Sequence, residues 1–196
     1  MTESSPTNEQ SQLKSVQSRR LLIAALLTLV TLVLDQVTKQ MARTSLSAFA
    51  ETKVIGNFFR LQLAENTGAF LSLGSTMSDH TRFVIFTVLV ILFLIWATYM
   101  LVRKVATANL AFLFGWTFLI AGGIGNVIDR IAKNSVTDFL IMGVGPLQTG
   151  VFNIADIAIS GGILIVLFLA REGVVPSPKK DLDVQRAGSR VSSDRN

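Results

Sequence analysis

The chain has 196 residues, 50% of them hydrophobic and 16% charged, which is too apolar for an average soluble domain. It holds no cysteine, which excludes disulfides, thiolate metal sites and a cysteine nucleophile, and its one histidine, His80, lies in a polar stretch without the helpers that a metal cluster or a Ser-His-Asp triad requires. The net charge of +5 comes from basic residues that bracket apolar segments and fill the C-terminal tail (Lys179, Lys180, Arg186, Arg190, Arg195), a membrane-flank pattern rather than a nucleic-acid face.

In chain order, residues 1–19 read as a disordered polar tail, with Arg19 at its end and Arg20 opening the first span. The first apolar run continues in helical register through Val37 and Met41, so an uncleaved spanning helix is expected over about residues 20–42. An external loop follows. Within it, Val54 and Ile55, the turn signal Gly56-Asn57, and the alternation of Phe59, Leu61 and Leu63 predict a small β element over about residues 52–70, lying on the membrane surface. Asn66-Thr67-Gly68 is expected to turn the chain back toward the bilayer.

Residues 83–102 form the cleanest span, with no charge between Arg82 and Arg103-Lys104. A third span is expected over about residues 108–128, where Gly115, Gly122, Gly123 and Gly125 offer small surfaces for close helix packing. A fourth is expected over about residues 152–170, followed by a disordered basic tail at 172–196. The fold class is therefore an all-α membrane protein with four spans, residues 20–171 forming the domain, and a small extracytoplasmic β element in the first external loop.

Lysine and arginine are biased to one side. Lys14, Arg19, Arg20, Arg103, Lys104, Arg171 and the five basic residues of the tail make 11 of 18, which puts both termini in the cytoplasm. That orientation gathers Asp35, Lys39, Asn66, Asn126, Asp129, Arg130, Asp138, Asn153 and Asp156 at the outer helix ends, and ionisable groups at membrane depth are functional-site candidates.

Asp35 and Lys39 share a helical face at i, i+4 and suit a salt bridge that supports the site. Asp129 is placed to neutralise Arg130 or another nearby cation, and Arg130 fits a structural role and an oxygen-binding role equally. Val136-Thr137-Asp138-Phe139 reads as a short extended or helix-capping segment, and Asn153-Ile154-Ala155-Asp156 opens the fourth span. Asp138 and Asp156 can meet at one membrane–water boundary and share a proton, with one acting as base and the other as acid. Spacing alone leaves a catalytic pair and an ion- or proton-handling site, as in a small proton- or ion-coupled transporter, evenly matched. A Ser–Lys pair of Lys39 with Ser45 or Ser47 is a third arrangement that the spacing does not favour.

Asp35-Gln36-x-x-Lys39, Asn66-x-Gly68-Ala69, Gly122-Gly123-x-Gly125-Asn126-x-x-Asp129-Arg130, Val136-x-Asp138-Phe139 and Phe152-Asn153-x-Ala155-Asp156 together resemble the motifs of signal peptidase II, the lipoprotein signal peptidase, an aspartic protease of bacterial membranes. The resemblance implies that Asp138 and Asp156 are the catalytic dyad. It implies that Asn66, Gly68, Asn126, Arg130 and Asn153 shape the substrate site, with Asp35, Lys39 and Asp129 supporting it. It further implies cleavage of diacylglyceryl prolipoproteins just before the lipidated cysteine, at the outer face of the cytoplasmic (inner) membrane. Block by globomycin-like cyclic peptides follows, as does a reaction in contact with membrane lipid that uses no metal or organic cofactor and no obligate protein partner. The external β-cradle and surface helix of such enzymes map to residues 52–63 and to the stretch near 73–82. Two departures stand out: the segment Asn66-Thr67-Gly68-Ala69-Phe70 is one alanine short, and Ser135 replaces a common glycine before Val136.

Overall fold

A computed structural model describes residues 6–68 and 78–171. The tail expected at 172–196, residues 73–77 of the expected surface helix, and Ala69 and Phe70 of the shortened motif lie outside the described residues.

Helix α1 is Pro6–Ser45. It begins well ahead of Arg20, so residues 6–19 are helical where disorder was expected. Proline suits a first helical position, where an N–H would have no partner, and no further proline or glycine occurs before Gly56 to interrupt the helix. Its inner face is a stripe of buried Ala24, Thr31, Asp35, Lys39 and Ala42, while Leu22, Leu26, Leu29, Val33, Val37 and Met41 stay exposed on the other side. A helix that keeps its leucines outside and its charges inside is built for lipid.

Helix α2 (Asp79–Phe83) starts at Ser78, whose hydroxyl accepts from Thr81 N, and runs through one π-helical turn (Val84–Val88) into α3 (Leu89–Lys104). Helix α4 (Leu110–Lys133) is capped by Asn109, which accepts from Phe112 N at 2.7 Å. It passes the expected end at residue 128, because Arg130 and Lys133 complement the carbonyls of its last turn. Helix α5 is Ile154–Arg171. Among the described residues, three helical stretches are long and apolar enough to cross a membrane: Gln10–Ser45, Val84–Lys104 and Leu110–Lys133. The apolar part of α5, Ile154–Phe168, is shorter.

Helix α4 packs against α1, α3 and α5. Its glycines decide the closeness: a Cβ at Gly122 would overlap the Ala155 carbonyl oxygen of α5, and one at Gly162 of α5 would lie 2.6 Å from Gly115 O. At one end of the bundle Arg20 donates to the carbonyls of Val105 (2.9 Å) and Ala108 (2.6 Å), tying the basic flank of α1 to the α3–α4 turn.

Beyond the opposite end lies an antiparallel sheet of order β1-β2-β3-β4: Thr52–Ile55, Phe59–Asn66, Val136–Val144 and Leu147–Gln148. The expected hairpin is present, turning at Gly56 (φ 53°), and Phe59, Leu61 and Leu63 all pack against Ala42, Phe139 and Leu140. The short extended segment expected at 136–140 is instead a long strand, the central partner of β2. Its residues from Val136 to Ile141 are all buried, so they lack the alternation that marks a half-exposed strand. The register sets Ala64 opposite Asp138, Glu65 opposite Thr137 and Asn66 opposite Val136, after an irregularity between Leu61 and Ala64.

Candidate active site

The site is assembled where β3 meets the start of α5. Phe139 N and Leu140 N donate to Phe152 O (3.0 and 2.8 Å), and Phe152 N donates back to Leu140 O (2.9 Å). These bonds set Asp138 beside Asn153. Asn153 caps α5 through its side-chain oxygen, which accepts from Asp156 N at 2.9 Å, while Asp156 Oδ2 accepts from Asn153 N at 3.2 Å. This is a reciprocal capping box, and it holds Asp156 in the first turn of α5.

Three asparagine side chains then join the two acids. Asn153 Nδ2 donates to Asp138 Oδ1 (2.6 Å) and to Asn126 Oδ1 (3.2 Å). Asn126 Nδ2 donates to Asp156 Oδ1 (2.8 Å). Asn66 Nδ2 donates to Asp138 Oδ2 (3.1 Å), and the Asn66 oxygen is fixed by the Gly68 N–H at 3.2 Å. Burial pushes the Asp138 carboxyl up, and the charge of Asp156 adds to this. The amides of Asn66 and Asn153 and the charge of Lys39 oppose it, leaving the group at about 6.

Behind the acids lies a buried ionic cluster. Lys39, fully buried, bridges Asp35 (2.9 Å) and Asp129 (3.2 Å) and donates to Asn126 Oδ1 (3.0 Å). Asp35 Oδ1 accepts from Ala155 N at 2.9 Å, and Asp129 Oδ2 accepts from Thr137 N at 3.2 Å. Ala155 and Thr137 immediately precede Asp156 and Asp138, so each supporting carboxylate holds the backbone next to one acid of the pair. Gly125 makes this approach possible, since a Cβ there would lie 2.6 Å from Asp35 Oδ2.

Of the two partners expected for Asp129, Arg130 or another nearby cation, the structure gives the second. Its carboxylate is shared among Lys39, Arg43 (3.8 Å) and Lys133 (3.9 Å), because successive helical side chains diverge by about 100°. Arg130 makes no ion pair with a described residue. It opens instead on a cavity of about 590 Å³ whose wall includes Glu65, His80, Phe83, Thr87 and Lys133. Ser135 needs no glycine-like backbone, because the left-handed residue of this turn is Asn134 (φ 58°). Lys39 is committed to the ionic cluster, with no described bond to Ser45 or Ser47. Sequence reasoning missed Arg43, Glu65 and Thr137. Arg43 follows Lys39 at i+4 on a face already marked, whereas Glu65 and Thr137 become neighbours through strand register alone.

Apolar helices ending in a hydrogen-bonded network of carboxylates and amides define a helical membrane protein with a polar site at one end of its bundle. The chain matches the family model for signal peptidase (SPase) II over residues 27–171. It is 35% identical over 148 residues to the lipoprotein signal peptidase of Maridesulfovibrio salexigens, covering 74% of this chain and 92% of that protein. The corresponding protein of Caldicellulosiruptor bescii is 36% identical over 141 residues, covering 71% and 84%. A solved structure described as a bacterial membrane enzyme determined by the in meso method superposes with a TM-score of 0.69 at 25% identity, covering 80% of this chain and 92% of that one. The chain belongs to the signal peptidase II family, bacterial membrane proteases that remove signal peptides from lipoproteins.

Proposed function

We propose that the protein is an aspartic endopeptidase that cuts diacylglyceryl prolipoproteins just before the lipidated cysteine, with Asp138 and Asp156 as the dyad. The observation that carries this reading is the amide-bridged acid pair, in which Asp138 is buried and its carboxyl is raised to about 6. A proton held on Asp138 lets it hydrogen-bond the scissile carbonyl oxygen. Asp156 has donors around it from Asn126 and from the start of α5, and it acts as base to the attacking water. The water oxygen adds to the carbonyl carbon, one water proton passes to Asp156, and the Asp138 proton passes to the carbonyl oxygen. Collapse breaks the C–N bond, and the proton on Asp156 leaves with the new amine. Asp138 recovers its proton as the carbonyl reforms, so the pair ends as it began.

The remaining assignments follow. Asn66, Gly68, Asn126 and Asn153 fix the acids, while Arg130 faces the cavity to receive oxygen atoms of the substrate. Asp35, Lys39 and Asp129 support the backbone. Helix α5 acts as a fourth span, both termini lie in the cytoplasm, and the reaction takes place at the outer face of the cytoplasmic membrane, where acyl chains remain in lipid. Globomycin-like cyclic peptides occupy the same cleft. The test is a purified-protein assay in detergent with a diacylglyceryl prolipoprotein and its unlipidated form. Mass spectrometry should find cleavage before the cysteine in the lipidated precursor alone, blocked by globomycin. Equal cleavage of both forms, or cleavage elsewhere, would contradict the reading.

A further inference from the structure

Glu65 sits one residue before Asn66 on β2, in the wall of the cavity that Arg130 faces, and the catalytic reading gives it no role. Its carboxylate accepts from the Ser135 hydroxyl at 2.6 Å through Oε2 and from the Thr137 hydroxyl at 3.1 Å through Oε1. Ser135 is nearly buried and Thr137 wholly so. The Thr137 hydroxyl itself accepts from Arg43 Nη1 (2.9 Å) and from Lys133 Nζ (3.5 Å), so cations stand behind the carboxylate. Thr137 lies directly opposite Glu65 in the register, and the acid Asp138 is the next residue.

We propose that Glu65 is a positioning residue: its two-pronged grip on Ser135 and Thr137 fixes the entry of β3 against β2 and so sets Asp138 at the distance where Asn66 can bind it. This rests on the assignment of Asp138 to the chemistry. The geometry supports it from both strands. Asp129 already holds Thr137 from the α4 side through its backbone N–H, and Glu65 holds the same residue from the β2 side through its hydroxyl. With both grips in place, the residue before the acid is fixed on two sides, in a chain whose left-handed turn at Asn134 leaves Ser135 free to offer a hydroxyl. Ser135 and Glu65 therefore act as one unit.

The experiment compares Glu65→Ala, Ser135→Ala, the double variant and Glu65→Gln with the unmodified protein, reading kcat and KM for precursor cleavage and amide hydrogen exchange in β3. Losing charge-assisted hydrogen bonds at a positioning site should lower kcat by about 3–30-fold in Glu65→Ala, with KM unchanged. Ser135→Ala should lower it less, the double variant should be no slower than Glu65→Ala, and Glu65→Gln, which keeps one acceptor and gains a donor, should restore most of the rate. The exchange of Thr137 and Asp138 amides should quicken in Glu65→Ala. An unchanged kcat, additive losses in the double variant, or a raised KM at constant kcat would overturn the proposal. If the unmodified protein cleaves no precursor, the catalytic reading fails separately, and unaltered β3 exchange in Glu65→Ala then overturns the clamp by itself.

Discussion

Asn153 donates its side-chain amide to Asp138 Oδ1 across 2.6 Å while its side-chain oxygen caps the backbone of Asp156, so a single residue ties both acids to the first turn of α5. Removing it should do two separable things. Asn153→Ala loses a helix cap, about 1 kcal/mol of stability, and leaves Asp138 and Asp156 without a common reference. Turnover should fall by about 100-fold or more, since a catalytic geometry displaced by an ångström loses that much. Thermal melting together with single-turnover cleavage would separate the effects; loss of activity in proportion to loss of fold alone would contradict the role.

The buried carboxyl of Asp138 links the site to pH. Its folded value is raised from 3.8 to about 6, so the folded protein keeps a proton that the unfolded chain releases across that window. The associated stability is fully present below 3.8 and is lost as pH rises through about 6. Asp138→Asn does not titrate. Its unfolding free energy relative to the unmodified protein should therefore rise between pH 4 and pH 7, by up to about 3 kcal/mol. A difference that stays constant across that range would contradict the raised carboxyl.

Lys39 holds two buried carboxylates, so Lys39→Met would strand Asp35 without a cation and leave Asp129 only its longer contacts to Arg43 and Lys133. Breaking a buried pair from one side destabilises by about 3–5 kcal/mol. The expected outcome is a large fall in yield of folded protein in detergent, with cleavage lost as a consequence. A well-folded Lys39→Met variant with selective loss of turnover would move Lys39 from support to chemistry.

Gly122→Ala would press a methyl group into the Ala155 carbonyl, next to Asp156. Backbone cannot yield as a side chain does, so α5 must shift away from α4. Activity should drop about 10-fold or more with the helices still formed by circular dichroism, an effect of displacing the acid by a fraction of an ångström. Unchanged turnover would mean that α4 and α5 have slack in their packing.

Much of this arrangement was legible in the sequence because helical periodicity is local. Asp35 and Lys39 declare their shared face at i, i+4, and the bridge between them has the expected geometry. The glycine run of α4 announces close packing before the partner helix is known. Two features were hidden. The strand nature of residues 136–141 was masked by burial on both faces, which erases the alternation that normally reveals a strand. The bonds of Asp129 to Lys39 and of Glu65 to Thr137 depend on which residues stand opposite one another across α1, α4, β2 and β3, and register of that kind is set by the whole fold. The helical start at Pro6 shows the reverse case, a polar segment that stays helical because nothing in it breaks the helix.

The dyad is tested most directly by replacing Asp138 and Asp156 one at a time with Asn and following single-turnover cleavage of a diacylglyceryl prolipoprotein by protein whose fold has been checked by melting. Each variant should bind the precursor and cleave it at least about 1,000-fold more slowly, as expected when one half of an acid–base pair is removed. Near-normal turnover in either folded variant would contradict the account.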